Sequence, residues 1–337
     1  MGRIGRLVVR NMFSDSRPNC ELRVINASYP AGVIAHLLKY DTVHGKWDAR
    51  IEAPDDHRLV INGHTIRVTA ERDPAEIGWG DLGVELVVDA TGKFNSREGA
   101  SGHLAAGASH VLITAPGKQM DLTVVMGVNH HMYDPKLHRL VSAASCTTNC
   151  LAPVLYVLDQ AFRVQSGWMT TVHAYTSDQR ILDNPHKDLR RARACTESIV
   201  PTTTGVGKAL TEVLPHLASC IRGLSIRVPV KDVSVIDLTV KVAEPVTPED
   251  VHDALREAAS GAMAPYLGYS EEPLVSSDFI GNPKSAVIDA LSLDVMDDQI
   301  KVLAWYDNEW AYATRVTELV QYMAERIEQV WYTPQPI

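Results

Sequence analysis

The 337-residue chain holds only five cysteines, Cys20, Cys146, Cys150, Cys195 and Cys220. They are too few and too scattered for a disulfide framework, so a reducing cytoplasm is the expected compartment. Positive charge is also in deficit: 32 Lys and Arg against 41 Asp and Glu leave a net charge of -9. A dedicated nucleic-acid site is therefore not expected, because such proteins carry a basic footprint. No apolar run approaches the roughly 20 residues that cross a bilayer. No signal-peptide core follows Met1, and there is no internal repeat or low-complexity linker. What remains is 45% hydrophobic and 22% charged residues, an ordinary globular composition that excludes disorder and fibrous repetition. At about 150 residues per domain, two domains are expected.

The first half alternates short β-rich runs with helical patterns. Residues 3–13 place Ile4, Leu7, Val8 and Met12 on one helical face. Compact apolar runs at 21–26, 84–90 and 110–115 read as buried strands, with a further pair at 122–128 and 137–143. Such runs with helices between them indicate a doubly wound parallel sheet. In the second half, 232–242 alternates cleanly from Ile236, the pattern of a one-sided antiparallel strand. Further strands are expected at 166–173 and 299–307. A last helix from Thr314 carries Val316, Leu319, Val320, Met323, Ile327 and Val330 on one stripe.

Gly2, Arg3, Ile4 and Gly5 resemble the end of a G-x-G-x-x-G dinucleotide loop, where glycines let the backbone approach a pyrophosphate at a helix N-terminus. Alone, GxxG at a helix start is common and says little. The strand and first glycine expected before it do not precede Met1. Either translation starts upstream or the chain is a damaged cofactor binder. Loss of that central strand would open ladder groups on both neighbours. The stronger signal is Cys146, in Ser-Cys-Thr-Thr-Asn-Cys after an apolar run and at the start of a helical pattern. A helix N-terminus favours thiolate through its dipole and unpaired amides. A buried pair with Cys150 is the commoner fate of such cysteines. No second Cys/His pair at ligand spacing supports a metal, and none is expected. His173 closes a β-rich run and offers a base, and cysteine plus histidine is the minimum for thiolate catalysis. A lone histidine at a strand end is more often structural.

The segment SAASCTTNCLAPV resembles the active-site signature of phosphorylating glyceraldehyde-3-phosphate dehydrogenases. KYDTVHGKW, ERDP, TTVHAYTSDQRILDNPHKDLRRARA, IVPTTTGVGKAL, RVPVKDVSVIDL and WYDNEW resemble further family segments, in order along nearly the whole chain. The resemblance implies an α/β fold: a Rossmann doubly wound parallel sheet lacking its first strand, plus an α+β catalytic domain with a mostly antiparallel sheet. It places the dinucleotide-binding domain at 1–147 and 311–337 and the catalytic domain at 148–310. It implies a cytoplasmic homotetramer oxidising glyceraldehyde 3-phosphate with inorganic phosphate, or running the reverse. Cys146 then resembles the nucleophile that forms a thiohemiacetal and a thioester, and His173 the base. Thr176, Asp178 and Arg227 match the site of the substrate phosphate. Ser145, Thr147, Arg191, Thr204 and Gly205 match that of the attacking phosphate. Forked guanidinium groups, hydroxyls and amides suit phosphate oxygens. For the cofactor, Gly2, Arg3, Ile4 and Gly5 match the pyrophosphate loop, Arg72 and Thr114 the adenosine-side and nicotinamide-side walls. Asn308 matches the carboxamide anchor, and Tyr312 packs beside the ring. His130 and His131 have no family role.

Two departures bear on the cofactor. The usual Gly-Tyr-Ser after the YDNEW segment reads Ala311, Tyr312, Ala313. The strand that should end in Asn-Asp, whose acid binds the NAD ribose and repels a 2′-phosphate, reads Asn26, Ala27, Ser28. Losing the acid and gaining a hydroxyl at Ser28 favours NADP over NAD, and the INASY stretch resembles the bacterial gluconeogenic branch that uses NADP. An alternative of the same fold is an erythrose-4-phosphate dehydrogenase, but those enzymes depart from the Thr-x-Asp and TTTG elements kept here. A truncated, non-catalytic paralogue acting as a binding module is the other.

Overall fold

The structure, a computed structural model, describes residues 1–14 and 19–331; the end of the expected terminal stretch, 332–337, lies outside the described residues. Internal contacts divide the chain into one unit of Met1–Val124, His130–Ala144 and Ala313–Ile337, and a second of Val125–Asn129 and Ser145–Tyr312.

In the first unit the apolar face of residues 3–13 becomes α1 (Arg3–Ser14), which buries Leu7, Val8 and Val9. It is followed by β1 (Val24–Asn26), α2 (Ala31–Lys39), the short hairpin β2 (Tyr40–Asp41) and β3 (Gly45–Lys46), then β4 (Ile51–Asp55), β5 (Arg58–Ile61) and β6 (His64–Thr69). After these come β7 (Leu86–Asp89), α3 (Arg97–Ala105), β8 (His110–Ile113), β9 (Leu122–Thr123) and β10 (Leu140–Ser142). β7, β8, β10 and β9 form an all-parallel sheet in that order, and every residue of β8 is buried, as a strand covered on both faces requires. β1 runs parallel to β6, which continues antiparallel through β5 to β4. Among the described residues β1 pairs only with β6 and β7 only with β8, so the parallel strands stand in two pieces.

One expected strand is much shorter. The run 122–128 pairs only at Leu122 and Thr123. From Val125 the chain turns, with the Asn129 side chain accepting the Val125 N–H at 2.8 Å and Gly127 at φ +82. A Cβ on Gly127 would stand 2.3 Å from the Tyr266 ring, so glycine is required there twice over.

The second unit carries α4 (Cys146–Phe162), β11 (Val164–Ala174), β12 (Val200–Thr202), α5 (Val206–Val213), β13 (Ile221–Val228), β14 (Ser234–Val242) and α6 (Pro248–Ser260). β15 (Leu267–Ser270), β16 (Ala286–Met296) and β17 (Gln299–Tyr306) follow, and α7 (Trp310–Trp331) begins here before running on into the first unit. The sheet order is β12-β13-β11-β14-β17-β16-β15, antiparallel except at β13/β11 and β16/β15. β14 buries Ser234, Ile236, Leu238, Val240 and Val242, the period of two read in the sequence. β11 lies between β13 and β14 near the centre of this sheet, with hydrogen-bonded neighbours on both sides. Its last residues are therefore firmly placed.

Candidate active site

Cys146 is the first residue of α4. Ser145 before it is extended (φ -112, ψ 163), and its Oγ accepts the Thr148 N–H at 3.0 Å, an N-cap that stops the helix at the cysteine. His173 is the penultimate residue of β11 and is buried. Its Nε2 lies 3.4 Å from Cys146 Sγ. The parallel register of β11 and β13 sets Arg227 directly beside His173. Arg227 Nη1 is 2.8 Å from His173 Nδ1 and donates to the Ala174 carbonyl at 3.0 Å. His173 Nδ1 is 2.7 Å from that same carbonyl. The Ala174 carbonyl can only accept and already receives Arg227, so the consistent tautomer has Nδ1–H donating to Ala174 O, which leaves Nε2 as an acceptor facing the thiol.

The electrostatics differ from the simple helix-dipole expectation. Burial pushes the Cys146 thiol up, and the Arg227 charge and the Thr147 amide only partly oppose it. Burial, aided by the Arg227 charge, pulls His173 down to about 3. The pair rests as a neutral thiol beside a neutral imidazole. Arg227 Nε is buried and has no hydrogen-bond partner among the described residues, which leaves a strong donor unpaired.

The other expected phosphate residues fall into two groups. Thr147 joins the centre: its Oγ1 is 3.0 Å from the Tyr306 hydroxyl, which is 2.8 Å from Thr171 Oγ1, and the Tyr306 ring meets His173 edge-on. Asp178 and Arg191 instead hold each other. Arg191 Nη1 donates to Asp178 Oδ2 at 2.5 Å and its Nε to Thr202 Oγ1 at 3.0 Å, while His186 Nε2 stands 3.5 Å from Asp178 Oδ1. Burial is the largest single influence and would raise the Asp178 carboxyl, but the hydrogen bonds and charges of Arg191 and His186 together outweigh it and hold it below the usual range. Thr176 is half-buried and its carbonyl accepts the Gln179 N–H. Thr204 and Gly205 precede α5, Gly205 as its N-cap, and no described hydrogen bond joins them to Cys146 or His173.

In the first unit the expected cofactor residues gather at the carboxyl ends of parallel strands and at the start of α1, the ligand side of an open α/β sheet. Gly2 has open space where a side chain would stand, and a Cβ on Gly5 would meet Ala90 Cβ, just past β7, at 3.4 Å. The Ile4 N–H is one of the first-turn donors a helix leaves without an intrahelical acceptor. Arg3 holds Asp41, its Nη2 at 3.0 Å from Oδ1; Arg6 and the amides of Val43 and His44 bind the same carboxylate. Ala27 follows β1, buried, with its N–H on Thr69 O at 2.8 Å, and Ser28 is exposed. The Asn26 side chain clasps Thr69 and Glu71, which sets the exposed Arg72 at the end of β6. Thr114, just past β8, donates both its N–H and its hydroxyl to Asp89 O. In the second unit Asn308 and Tyr312 are buried, and Asn308 Oδ1 accepts Ser234 Oγ–H at 2.7 Å. Within the first unit, small residues and helix-start amides suit a pyrophosphate; within the second, Asn308 is an oriented amide of the kind that suits a carboxamide.

Sequence reasoning left Tyr306, Ser234 and His186 without roles, although each lies inside a quoted segment. Burial of a hydroxyl or an imidazole is what marks them, and that is visible only in the fold.

Residues 1–97 match the family profile described as glyceraldehyde 3-phosphate dehydrogenase, NAD binding domain, and residues 145–308 the one described as its C-terminal domain. The chain is 53% identical over 328 residues to glyceraldehyde-3-phosphate dehydrogenase 2 of Bacillus subtilis, covering 97% of this chain and 96% of the relative. It is 52% identical to the glyceraldehyde-3-phosphate dehydrogenases of Geobacillus stearothermophilus and Priestia megaterium, covering 96% of this chain and of each relative.

Proposed function

The chain belongs to the glyceraldehyde-3-phosphate dehydrogenase family of oxidoreductases, with its Rossmann NAD-binding domain and catalytic domain, and we propose that it oxidises D-glyceraldehyde 3-phosphate with inorganic phosphate to 1,3-bisphosphoglycerate, and reverses that reaction, through a thioester on Cys146. The 3.4 Å approach of His173 Nε2 to Cys146 Sγ carries this reading.

Sγ adds to the aldehyde carbon while its proton passes through Nε2 to the developing alkoxide, giving a thiohemiacetal. The Cys146 backbone N–H and the imidazole stabilise the oxygen. Bound NAD(P) supplies the acceptor for the hydride on that carbon. Nε2 receives the hydroxyl proton as the thioester forms, its acceptor lone pair guaranteed by the Nδ1–H bond to Ala174 O. Phosphate then attacks the thioester carbon, and Sγ leaves and regains a proton. Arg227, with its unpaired Nε, and Thr176 bind the substrate phosphate, and Asp178 positions Arg191. Ser145, Thr147, Arg191, Thr204 and Gly205 bind the attacking phosphate. Cys146→Ser should abolish steady-state turnover because a hydroxyl ionises far less readily than a thiol. His173→Asn should slow the single-turnover rate about 10²–10⁴-fold, the range of a general base. Turnover by the serine variant, or an unchanged rate in the asparagine variant, would remove that residue from the mechanism.

In the first unit, Gly2 to Gly5, Ala27, Ser28, Arg72 and Thr114 would hold the dinucleotide; in the second, Asn308 offers an amide of the kind a nicotinamide carboxamide needs and Tyr312 an aromatic ring. NADP is the preferred form: Ala27 offers no carboxylate to repel a 2′-phosphate, and exposed Ser28 and Arg72 supply a hydroxyl and a cation. That choice suits the gluconeogenic direction. A homotetramer accords with the exposed Ile181, Leu182, Leu189 and Ile199 and with Trp168 on β11, side chains that a subunit interface would cover. A cytoplasmic site accords with five free cysteines. No described helix is long and apolar enough to cross a membrane.

A further inference from the structure

Ser234, the first residue of β14, is buried, and its hydroxyl is engaged on two sides. Its Oγ accepts the Ala174 backbone N–H at 3.1 Å and donates to Asn308 Oδ1 at 2.7 Å. The Ala174 carbonyl is the acceptor that fixes the His173 tautomer and receives Arg227. One hydroxyl thus joins the backbone that orients the base to the side chain of Asn308. A hydroxyl has one proton. The Ala174 N–H can only donate, so the Oγ proton goes to Asn308.

The amide of asparagine has nearly the same shape when turned end for end, so its partners decide which end points where. With Oδ1 held by Ser234, Asn308 presents its NH₂ to any further partner. The carboxamide of a nicotinamide ring offers an oxygen that needs such a donor, and a turned Asn308 would set oxygen against oxygen. We propose that Ser234 is a positioning residue of the cofactor site, which locks Asn308 with its donor end toward the carboxamide. The inference rests on the reading of Asn308 as the carboxamide anchor. Replacing Ser234 by alanine removes the lock and strands a buried acceptor, while changing almost no volume.

A double-mutant cycle on the full-length protein, read as Kd for NADP and for NAD by calorimetric titration, tests this. Ser234→Ala should weaken cofactor binding about tenfold, the scale of one buried hydrogen bond left unmade. Asn308→Ala should weaken it at least as much. The double variant should bind no worse than Asn308→Ala alone, because Ser234 acts through that amide. Ser234→Cys, of similar shape but a poor donor, should fall between wild type and Ser234→Ala, and it carries the same cycle if the alanine variant does not fold. Equal losses from Ser234→Ala with and without Asn308 would overturn the proposal while the anchor reading stands. So would an unchanged Kd in Ser234→Ala alongside a weakened Asn308→Ala. An unchanged Kd in Asn308→Ala would remove the anchor reading and the proposal together.

Discussion

Arg227 acts on Cys146 and His173 in opposite senses: its charge draws the half-buried thiol toward ionisation and drives the buried imidazole away from it. On the proposed mechanism the same residue therefore primes the nucleophile and keeps the base free to accept a proton. Arg227→Ala should shift the pH midpoint of Cys146 alkylation upward, since burial then acts on the thiol without the opposing cation. An unmoved or lower midpoint, measured from iodoacetamide rates across pH, would contradict this. Cys146 and His173 were legible because their residue types carry the chemistry and their segments resemble the family's. The resting state of the thiol was not, because the helix start favours thiolate while the burial that outweighs it depends on packing. Tyr306 escaped for a related reason: it reaches Thr147 from a strand 159 residues away.

Two helix starts in the second unit show how an element can be structural in one place and chemical in another. α6 opens with a capping box: Thr247 Oγ1 accepts the Asp250 N–H at 3.2 Å, and Asp250 Oδ2 accepts the Thr247 N–H at 2.9 Å, with Pro248 in the first turn. α4 opens with Ser145, whose cap sets Cys146 at the first turn. Thr247→Ala and Ser145→Ala should each cost about 1 kcal/mol in stability, read from denaturant midpoints. Only Ser145→Ala should also lower kcat/KM for phosphate. Equal kinetics in the two variants would reduce Ser145 to a cap. At this scale the sequence was informative wherever the period was regular, as in β14 and α1. It misled at 122–128, where the apolar run looks like a strand but Gly127 and the Asn129 side chain turn the chain. Nothing in the local pattern announces Tyr266, whose ring excludes any side chain at Gly127.

For the molecule as a whole, the two α/β architectures could be read from the sequence: continuous apolar runs became parallel strands, and alternation became the antiparallel sheet. The pairing order could not, since it depends on contacts between distant segments. Cofactor choice belongs to this scale because it concerns the whole dinucleotide-binding domain. Ala27→Asp should move the ratio of kcat/KM values from NADP toward NAD, by restoring a ribose acceptor and a repulsive charge; a preference for NAD in the unaltered protein would refute the NADP reading and leave the dehydrogenase assignment standing. On the proposed mechanism the oxidised substrate is carried on Cys146. The most direct test mixes the protein with glyceraldehyde 3-phosphate and NADP in the absence of phosphate, followed by mass analysis of the Cys146 peptide. The peptide should gain the mass of the aldehyde less two hydrogens, with one equivalent of reduced cofactor per modified thiol, and lose it when phosphate is added. Reduced cofactor without that adduct, or the adduct on another cysteine, would contradict the account.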